Sequence, residues 1–327
     1  MTFPADYRAI FEHAAIGAIA PRGQIAVAGK DRASYLQGLL TNDIPALTAG
    51  SGCYAAWLTP QGRLITDLHV LESGDMILLD VPASLVAETV QRLDQFLFGE
   101  DVQLSDLRAA LTGIWIHGPA AADILAGTVG GAEELSTWPQ YRNARATFGS
   151  TPAVVTRIDQ LGVPGYCVYV APAEAAALVD ALERAGAVRA SVEAIDAARI
   201  EAATPVFGRD MDTDTIPLEA GIEQRAISFT KGCYVGQEVI IRVLHRGHGR
   251  IAKKLMPLRF EARAPVAAGA KVFAGDKEIG KVTSSADSPR EGTVALAYLH
   301  RDFLAPGTSV EVERPSGRVT AHVRTTT

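Results

Sequence analysis

Cysteine is scarce in this chain and never clustered. The 327 residues contain three, Cys53, Cys167 and Cys233, far apart and without a C-x-x-C. That odd, scattered set argues against a disulfide framework and against a cysteine-only zinc or iron–sulfur site. It fits a reducing, cytoplasmic compartment. Basic residues are in the minority: 31 Lys and Arg stand against 37 Asp and Glu, a net charge of −6. Nucleic acid is therefore not expected as the main partner. No apolar run approaches the ~20 residues needed to span a bilayer, so no membrane partner is expected. The stretch from Met1 to Arg22 lacks the basic start and apolar core of a signal peptide.

What is present is ample core-forming material. Hydrophobic residues make up 48% of the chain and charged ones 21%, and the length suggests about two domains. Arg22 to Gly29 reads as a strand, with Asp31 as the N-cap of a helix over 34–40. Residues 54–58 and 64–71 read as paired strands around the turn Thr59-Pro-Gln-Gly62. Met76 to Val81 is a further strand, and Leu85 to Phe98 a helix with Leu85, Thr89, Leu93 and Phe96 on one face. A similar order recurs. Residues 112–116, 153–158 and 166–170 read as strands, Pro172 to Ala185 as a helix with Pro at its start, and Ser191 to Glu201 as another helix. Residues 205–230 read as a long irregular loop. After Lys254, short apolar segments alternate with Gly and Pro turns, the pattern of an all-β module. A boundary falls near residue 250.

Three groups could carry chemistry. The first is Phe229-Thr-Lys-Gly-Cys-Tyr-Val-Gly-Gln-Glu238. A thiolate forms more readily beside a cation or at a helix start, and Cys233 has Lys231 two residues before it and a helix expected over 236–243. The alternative is a structural cysteine buried in a turn. The second is the cationic run Arg242, His245, Arg246, His248, Arg250, Lys253 and Lys254. It points either to an anionic partner or to a solvated helix end. H-x-x-H without a third ligand does not make a metal site. The third is acidic: Glu201 at a helix end, Asp67 inside the apolar strand 64–70, and Glu219. A carboxylate in such a strand must face solvent or bind something.

The 229–238 segment resembles the K-G-C-[FY]-x-G-Q-E signature of the YgfZ family, whose members are folate-binding proteins similar in fold to the glycine cleavage T-protein. Arg22-Gly to Arg32, Leu40-Thr-Asn-Asp-Ile44, Leu58-Thr-Pro-Gln-Gly-Arg63 followed by Asp67, Arg157 with Gly162, Gly165 and Tyr166, Arg199-Ile-Glu201, Gly208-Arg-Asp210, Ile216 to Gly221, and Gly280 to Ser285 extend the resemblance over nearly the whole chain. It implies an α+β fold of T-protein type. Two ferredoxin-like units, roughly 1–110 and 111–249, would surround a central channel, followed by a β-barrel over 250–327. It implies tetrahydrofolate as cofactor, Glu201 as the carboxylate holding the pterin ring, and Asp67 as the acid–base aspartate beside the folate nitrogens. Arg199, Tyr166, Gly165, Lys231, Gln237 and Arg242 are the further candidates for the folate site, and the cationic run would suit the folate's glutamate tail.

Two departures from T-proteins bear on activity. Val163-Pro164 stands where T-proteins carry Glu-Asp, and the Cys233 signature is absent from typical T-proteins. Both favour a tetrahydrofolate-binding factor for maturation or repair of iron–sulfur enzymes, with Cys233 reactive, those enzymes or their assembly proteins as partners, and the chain a monomer. A folate-dependent aminomethyltransferase is the alternative. A non-catalytic folate-binding or docking module is a third reading.

Overall fold

The computed structural model describes residues 4–246 and 251–325. Helix α1 (Ala5–Glu12) and strand β1 (Ala15–Ile16) come first. Strand β2 (Arg22–Ala28), helix α2 (Arg32–Leu39), strands β3 (Gly52–Leu58), β4 (Leu64–Glu72) and β5 (Met76–Pro82), helix α3 (Val86–Asp94) and strand β6 (Gln103–Asp106) follow. They build an antiparallel sheet in the order β3-β4-β5-β2-β6. The β3–β4 turn works as expected from Thr59-Pro-Gln-Gly62. The Gly62 N–H donates to the Thr59 carbonyl at 2.8 Å, and Gly62 takes φ +74°, where a side chain would be strained.

The next stretch repeats the plan. Strand β7 (Thr112–His117), helix α4 (Ala121–Ala126), strands β8 (Asn143–Phe148), β9 (Thr151–Arg157) and β10 (Gly165–Val170), helix α5 (Ala175–Arg184) and strand β11 (Val188–Arg189) form the second unit. Its sheet runs β8-β9-β10-β7-β1-β11. This is the order of the first sheet with β1 slotted between β7 and β11. The expected division at residue 110 is corrected accordingly: β1 pairs antiparallel with β7 and parallel with β11, so the first residues belong to the second unit.

The two sheets pack face to face with helices outside. Side chains alternate across a strand. One face of the first sheet (Ile25, Val27, Cys53, Ala55, Trp57, Leu68, Val70, Leu79, Val81) joins Leu36, Leu39, Val86 and Leu93 of α2 and α3. One face of the second (Ile116, Val155, Tyr166, Val168, Val170) joins Leu125, Leu178 and Leu182 of α4 and α5. The remaining faces meet through Leu71, Leu78, Trp115, Ile158, Cys167 and Tyr169.

Helix α6 (Val192–Glu201) is capped by Ser191, whose hydroxyl accepts from the Ala194 N–H at 3.2 Å. The stretch expected as an irregular loop contains two single-turn helices, α7 (Pro217–Ala220) and α8 (Glu223–Ala226). With α9 (Gln237–Ile241), which continues as a π-helical turn over Arg242–Arg246, they return to the first sheet. There Met211, Leu218, Ile222, Tyr234 and Ile240 cover Tyr54, Ala56, Leu58 and Leu64. Strands β12 (Lys253–Phe260), β13 (Lys271–Ala274), β14 (Lys277–Ser288), β15 (Gly292–His300), β16 (Ser309–Arg314) and β17 (Gly317–Val323) form a closed barrel, β12-β15-β14-β13-β16-β17. Pairing of β12 with β17 completes it. Among the described residues no helix is long and apolar enough to cross a membrane.

Candidate functional site between the two sheets

The inner face of the first sheet is polar where an apolar face would be the default. Register places Gln24, Asp80, His69 and Tyr54 in one row across β2, β5, β4 and β3. Two residues along, Asp67 lies opposite Ala56 and Arg22 opposite Pro82. Of these, Arg22, Tyr54, Asp67 and His69 form one wall of a cavity of about 280 Å³, near the lower end of ligand pockets at about 300–1,000 Å³. Tyr141 and the segment 158–160 of the second unit form the facing wall, and residues 204–209 and Arg225 complete it.

Asp67 is 5% exposed. Its Oδ2 accepts from the Tyr54 hydroxyl at 3.0 Å and from Arg22 at 3.3 Å, while Oδ1 has no partner. Two more atoms at the cavity lack one, His69 Nδ1 on this wall and Gln160 Oε1 on the facing one. His69 Nδ1 lies 3.4 Å from Asp80 Oδ1, without the alignment of a hydrogen bond. Burial and the Arg22 charge push the His69 pKa down, so the ring is neutral. Burial and then the Asp67 charge hold Tyr54 well above the usual phenol range, so it remains a donor to Asp67. Buried polar groups are ordinarily satisfied, and three orphans around one cavity mark a place for a polar guest. Asp67 Oδ1 and Gln160 Oε1 are acceptors suited to the N–H groups of a pterin. Tyr54 and Tyr141 offer aromatic faces, so the cavity fits the reduced folate expected from the sequence.

Of the candidate site residues named from the sequence, Asp67 alone lines this cavity, beside Arg22, Gly208 and Arg209 of the quoted motifs. Glu201 faces elsewhere: helical periodicity turns it toward α1 and the barrel, where Tyr7 donates to Oε1 at 2.5 Å and Arg290 pairs with Oε2. Its carboxylate, expected to hold a pterin, is paired here with Tyr7 and Arg290, outside the lining of this cavity. Arg199 is fully buried and spent on Asp210 (2.7 Å), Asp196 (2.5 Å), the Thr204 carbonyl (3.2 Å) and the Ser284 hydroxyl (2.8 Å). It ties α6 to the following loop and to the barrel. Tyr166 falls on the helix side of β10 by strand alternation, its hydroxyl donating to the Leu135 carbonyl at 2.9 Å. Gly165 packs against the Ile158 carbonyl and His117, too close for a side chain, and its N–H donates to Asp159 at 2.9 Å.

The signature segment also lies away from the cavity. Lys231 Nζ donates to the carbonyls of Gln37 (2.7 Å), Leu40 (2.6 Å) and Asn42 (2.9 Å). An ammonium has three protons to give, so Lys231 closes the C-terminal end of α2 and is not a free cation for Cys233 or for a ligand. Burial pushes its pKa down to about 8. Cys233 is exposed, which removes the buried-turn alternative, and the helix after it is only five residues long. Gln237 Oε1 accepts from the Tyr234 N–H at 3.3 Å. Arg242 is exposed. Lys254 pairs with Glu223 at 2.9 Å and Lys253 lies over the Tyr298 ring. The side chains of His245 and Arg246, and His248 and Arg250 altogether, lie outside the described residues. Glu219 is half-buried in α7, where burial raises its pKa.

The residues missed as site candidates in the sequence, Arg22 and His69 in the wall with Gln24 and Asp80 in the same face, carried a signal. Arg22-x-Gln24 and Asp67-x-His69 place polar groups two apart in otherwise apolar strands, hence on one face.

Comparison with known proteins settles the kinship. The family model for the GCVT N-terminal domain matches residues 2–231, and that for the glycine cleavage T-protein C-terminal barrel domain matches 253–327. The chain belongs to the glycine cleavage T-protein family. It is 31% identical over 296 residues to an aminomethyltransferase of Rubrobacter xylanophilus, covering 90% of this chain and 78% of that protein. An aminomethyltransferase of Bacillus subtilis is 28% identical over 314 residues, with 94% and 85% covered. The glycine cleavage system aminomethyltransferase T of Bartonella henselae superposes with a TM-score of 0.86 over 98% of this chain and 87% of that one, at 23% identity. The T-protein fold expected from the sequence, two α+β units and a C-terminal barrel, is thus the fold observed.

Proposed function

We propose that this T-protein family member binds a reduced folate, tetrahydrofolate, in the inter-sheet cavity and transfers a one-carbon unit of the aminomethyl type. The observation that carries this reading is the Asp67 carboxylate, buried in the cavity wall with Oδ2 fixed by Tyr54 and Arg22 and Oδ1 unpartnered. When bound, a reduced folate supplies the nitrogens that take up the one-carbon unit. Asp67 Oδ1 accepts a hydrogen bond or a proton at such a nitrogen. Arg22 and Tyr54 keep the carboxylate from rotating, and the closed walls limit water. The aminomethyltransferases among the relatives support the same chemistry.

Calorimetry with tetrahydrofolate on the wild type, Asp67→Asn and Gln160→Leu is the test, followed by transfer from an aminomethyl-carrying protein. Both substitutions should weaken binding. Asp67→Asn should also slow transfer by about 100-fold or more, the usual size of a lost acid–base group. Binding unchanged in both variants would overturn the cavity as the folate site.

One observation favours a second reading, the iron–sulfur maturation or repair factor suggested by the YgfZ-like signature. Cys233 is solvent-exposed on that segment, open to a protein partner such as an iron–sulfur enzyme. In a strain lacking the protein, Cys233→Ala should fail to restore iron–sulfur enzyme activity while leaving folding stability within about 0.5 kcal/mol of wild type, as at an exposed site. Full restoration would remove the thiol from the function.

A further inference from the structure

Beneath Asp67, Arg22 leads into a charge network whose further members, Asp80 and Tyr169, the proposed chemistry does not itself use. Arg22 stands between two carboxylates. It pairs with Asp80 through Nε, donates to the Asp80 carbonyl at 2.5 Å and reaches Asp67 at 3.3 Å. Asp80 is fully buried and takes two further donors on Oδ2, the Tyr169 hydroxyl at 2.7 Å and the Gln24 amide at 3.3 Å. Tyr169 belongs to β10 of the second unit and is also fully buried. One guanidinium is thus shared between a carboxylate in the cavity wall and one below it, and the lower carboxylate is held from across the sheet–sheet seam.

We propose that Asp80 and Tyr169 are positioning residues that set the ionisation of Asp67 through Arg22. This rests on the reading of Asp67 as the working carboxylate and adds a control to it. Two negative charges compete for one positive charge in a buried site, where such coupling is strong. Tyr169 eases the competition by giving Asp80 a donor of its own. Burial works against the charge on Asp80, but Arg22, His69 and Tyr169 together outweigh it and hold the carboxyl well below the usual range. Asp80 therefore stays charged. His69, between them, is neutral.

The other charged groups at the cavity do not compete for this role. Asp159 is tied to Arg157 at 3.0 Å, Arg209 to Asp196 at 2.9 Å, and Arg225 lies 5.5 Å over the Tyr54 ring. Tyr141 is held protonated by burial, its pKa pushed up to about 12.

The arrangement predicts shifts of opposite sign. Asp80→Asn leaves Arg22 wholly to Asp67 and removes the competing charge, so Asp67 becomes more acidic. Tyr169→Phe leaves Asp80 less satisfied and more demanding of Arg22, so Asp67 becomes less acidic. The measurement is tetrahydrofolate affinity by calorimetry as a function of pH, in the wild type, Asp67→Asn, Asp80→Asn and Tyr169→Phe, each checked for folding by its melt. Asp67→Asn should abolish the acidic limb. Asp80→Asn should move its midpoint down by about one pH unit, and Tyr169→Phe should move it up by about half a unit, the worth of one hydrogen bond. A purely structural role would lower affinity at every pH without moving the midpoint. A limb that survives Asp67→Asn would overturn the reading of Asp67 and the coupling with it. A limb lost in Asp67→Asn but unmoved in the other two would overturn the coupling alone. Should Asp80→Asn not fold, Tyr169→Phe decides by the same criterion.

Discussion

Across the first sheet the inner row reads Gln24, Asp80, His69, Tyr54; across the equivalent strands of the second it reads Trp115, Cys167, Thr156, Asn143. The strand order is the same and the chemistry is not. The first row carries a buried carboxylate and an imidazole at the cavity, whereas the side chains of the second are all neutral. The second seals the seam with a stacked Trp115–His117 pair and a buried thiol that burial keeps protonated. The difference teaches that a repeated topology can divide labour: one copy presents reactive groups, while the other supplies the wall and, through Tyr169, a single reaching hydroxyl.

Trading the two roles breaks this comparison most sharply. Trp115→Ala should cost about 3–5 kcal/mol of stability, the usual loss for a buried aromatic. Asp67→Asn should change stability by under about 1 kcal/mol while transfer collapses, because working groups are seldom placed for stability. Urea unfolding beside transfer rates checks both, and a large stability loss in Asp67→Asn would erase the distinction.

His117 sharpens it next. Burial pushes its pKa down from 6.5 to about 4, so the folded chain keeps the ring neutral. Above about pH 6.5 neither state carries the proton and nothing is lost. As pH falls toward 4 only the unfolded chain takes it up, at about 1.4 kcal/mol per pH unit. Unfolding free energies at pH 7 and pH 4.5 should converge in His117→Gln relative to wild type by about 2–3 kcal/mol. No convergence would mean the ring is charged in the fold.

The smallest effect separates a structural carboxylate from a working one. Glu201→Gln should cost about 1–2 kcal/mol through its contacts to Tyr7 and Arg290. Folate affinity should move by under about 0.5 kcal/mol, as for an uninvolved site. Melting curves and calorimetry on one preparation check both numbers.

Strands with clear alternation and good turn chemistry, such as 64–71 after Thr59-Pro-Gln-Gly62, were legible because local rules decide them. The two-residue strands β1 and β11 were not, because each is held by distant partners and has almost no pattern of its own. Helix α3 ends at Asp94 rather than Phe98, short of its apolar periodicity. In the site, Asp67 stood out as a charge in an apolar strand. Glu201 looked equally eligible, and nothing local reveals that Tyr7 and Arg290, far away in sequence, have already claimed it.

The slot that β1 fills sets a timetable for synthesis. Ala15 pairs with both His117 and Val188, so the start of the chain has no complete berth until the far edge of the second sheet emerges. At about 5–20 residues per second, that is a wait of roughly ten to thirty seconds on the ribosome. During it the first sheet, whose strands are all consecutive, can close alone, and α1 stays apolar-faced and unhoused. A nascent-chain pause before Val188 would leave the first sheet protected and its leading helix open to chaperones and proteases.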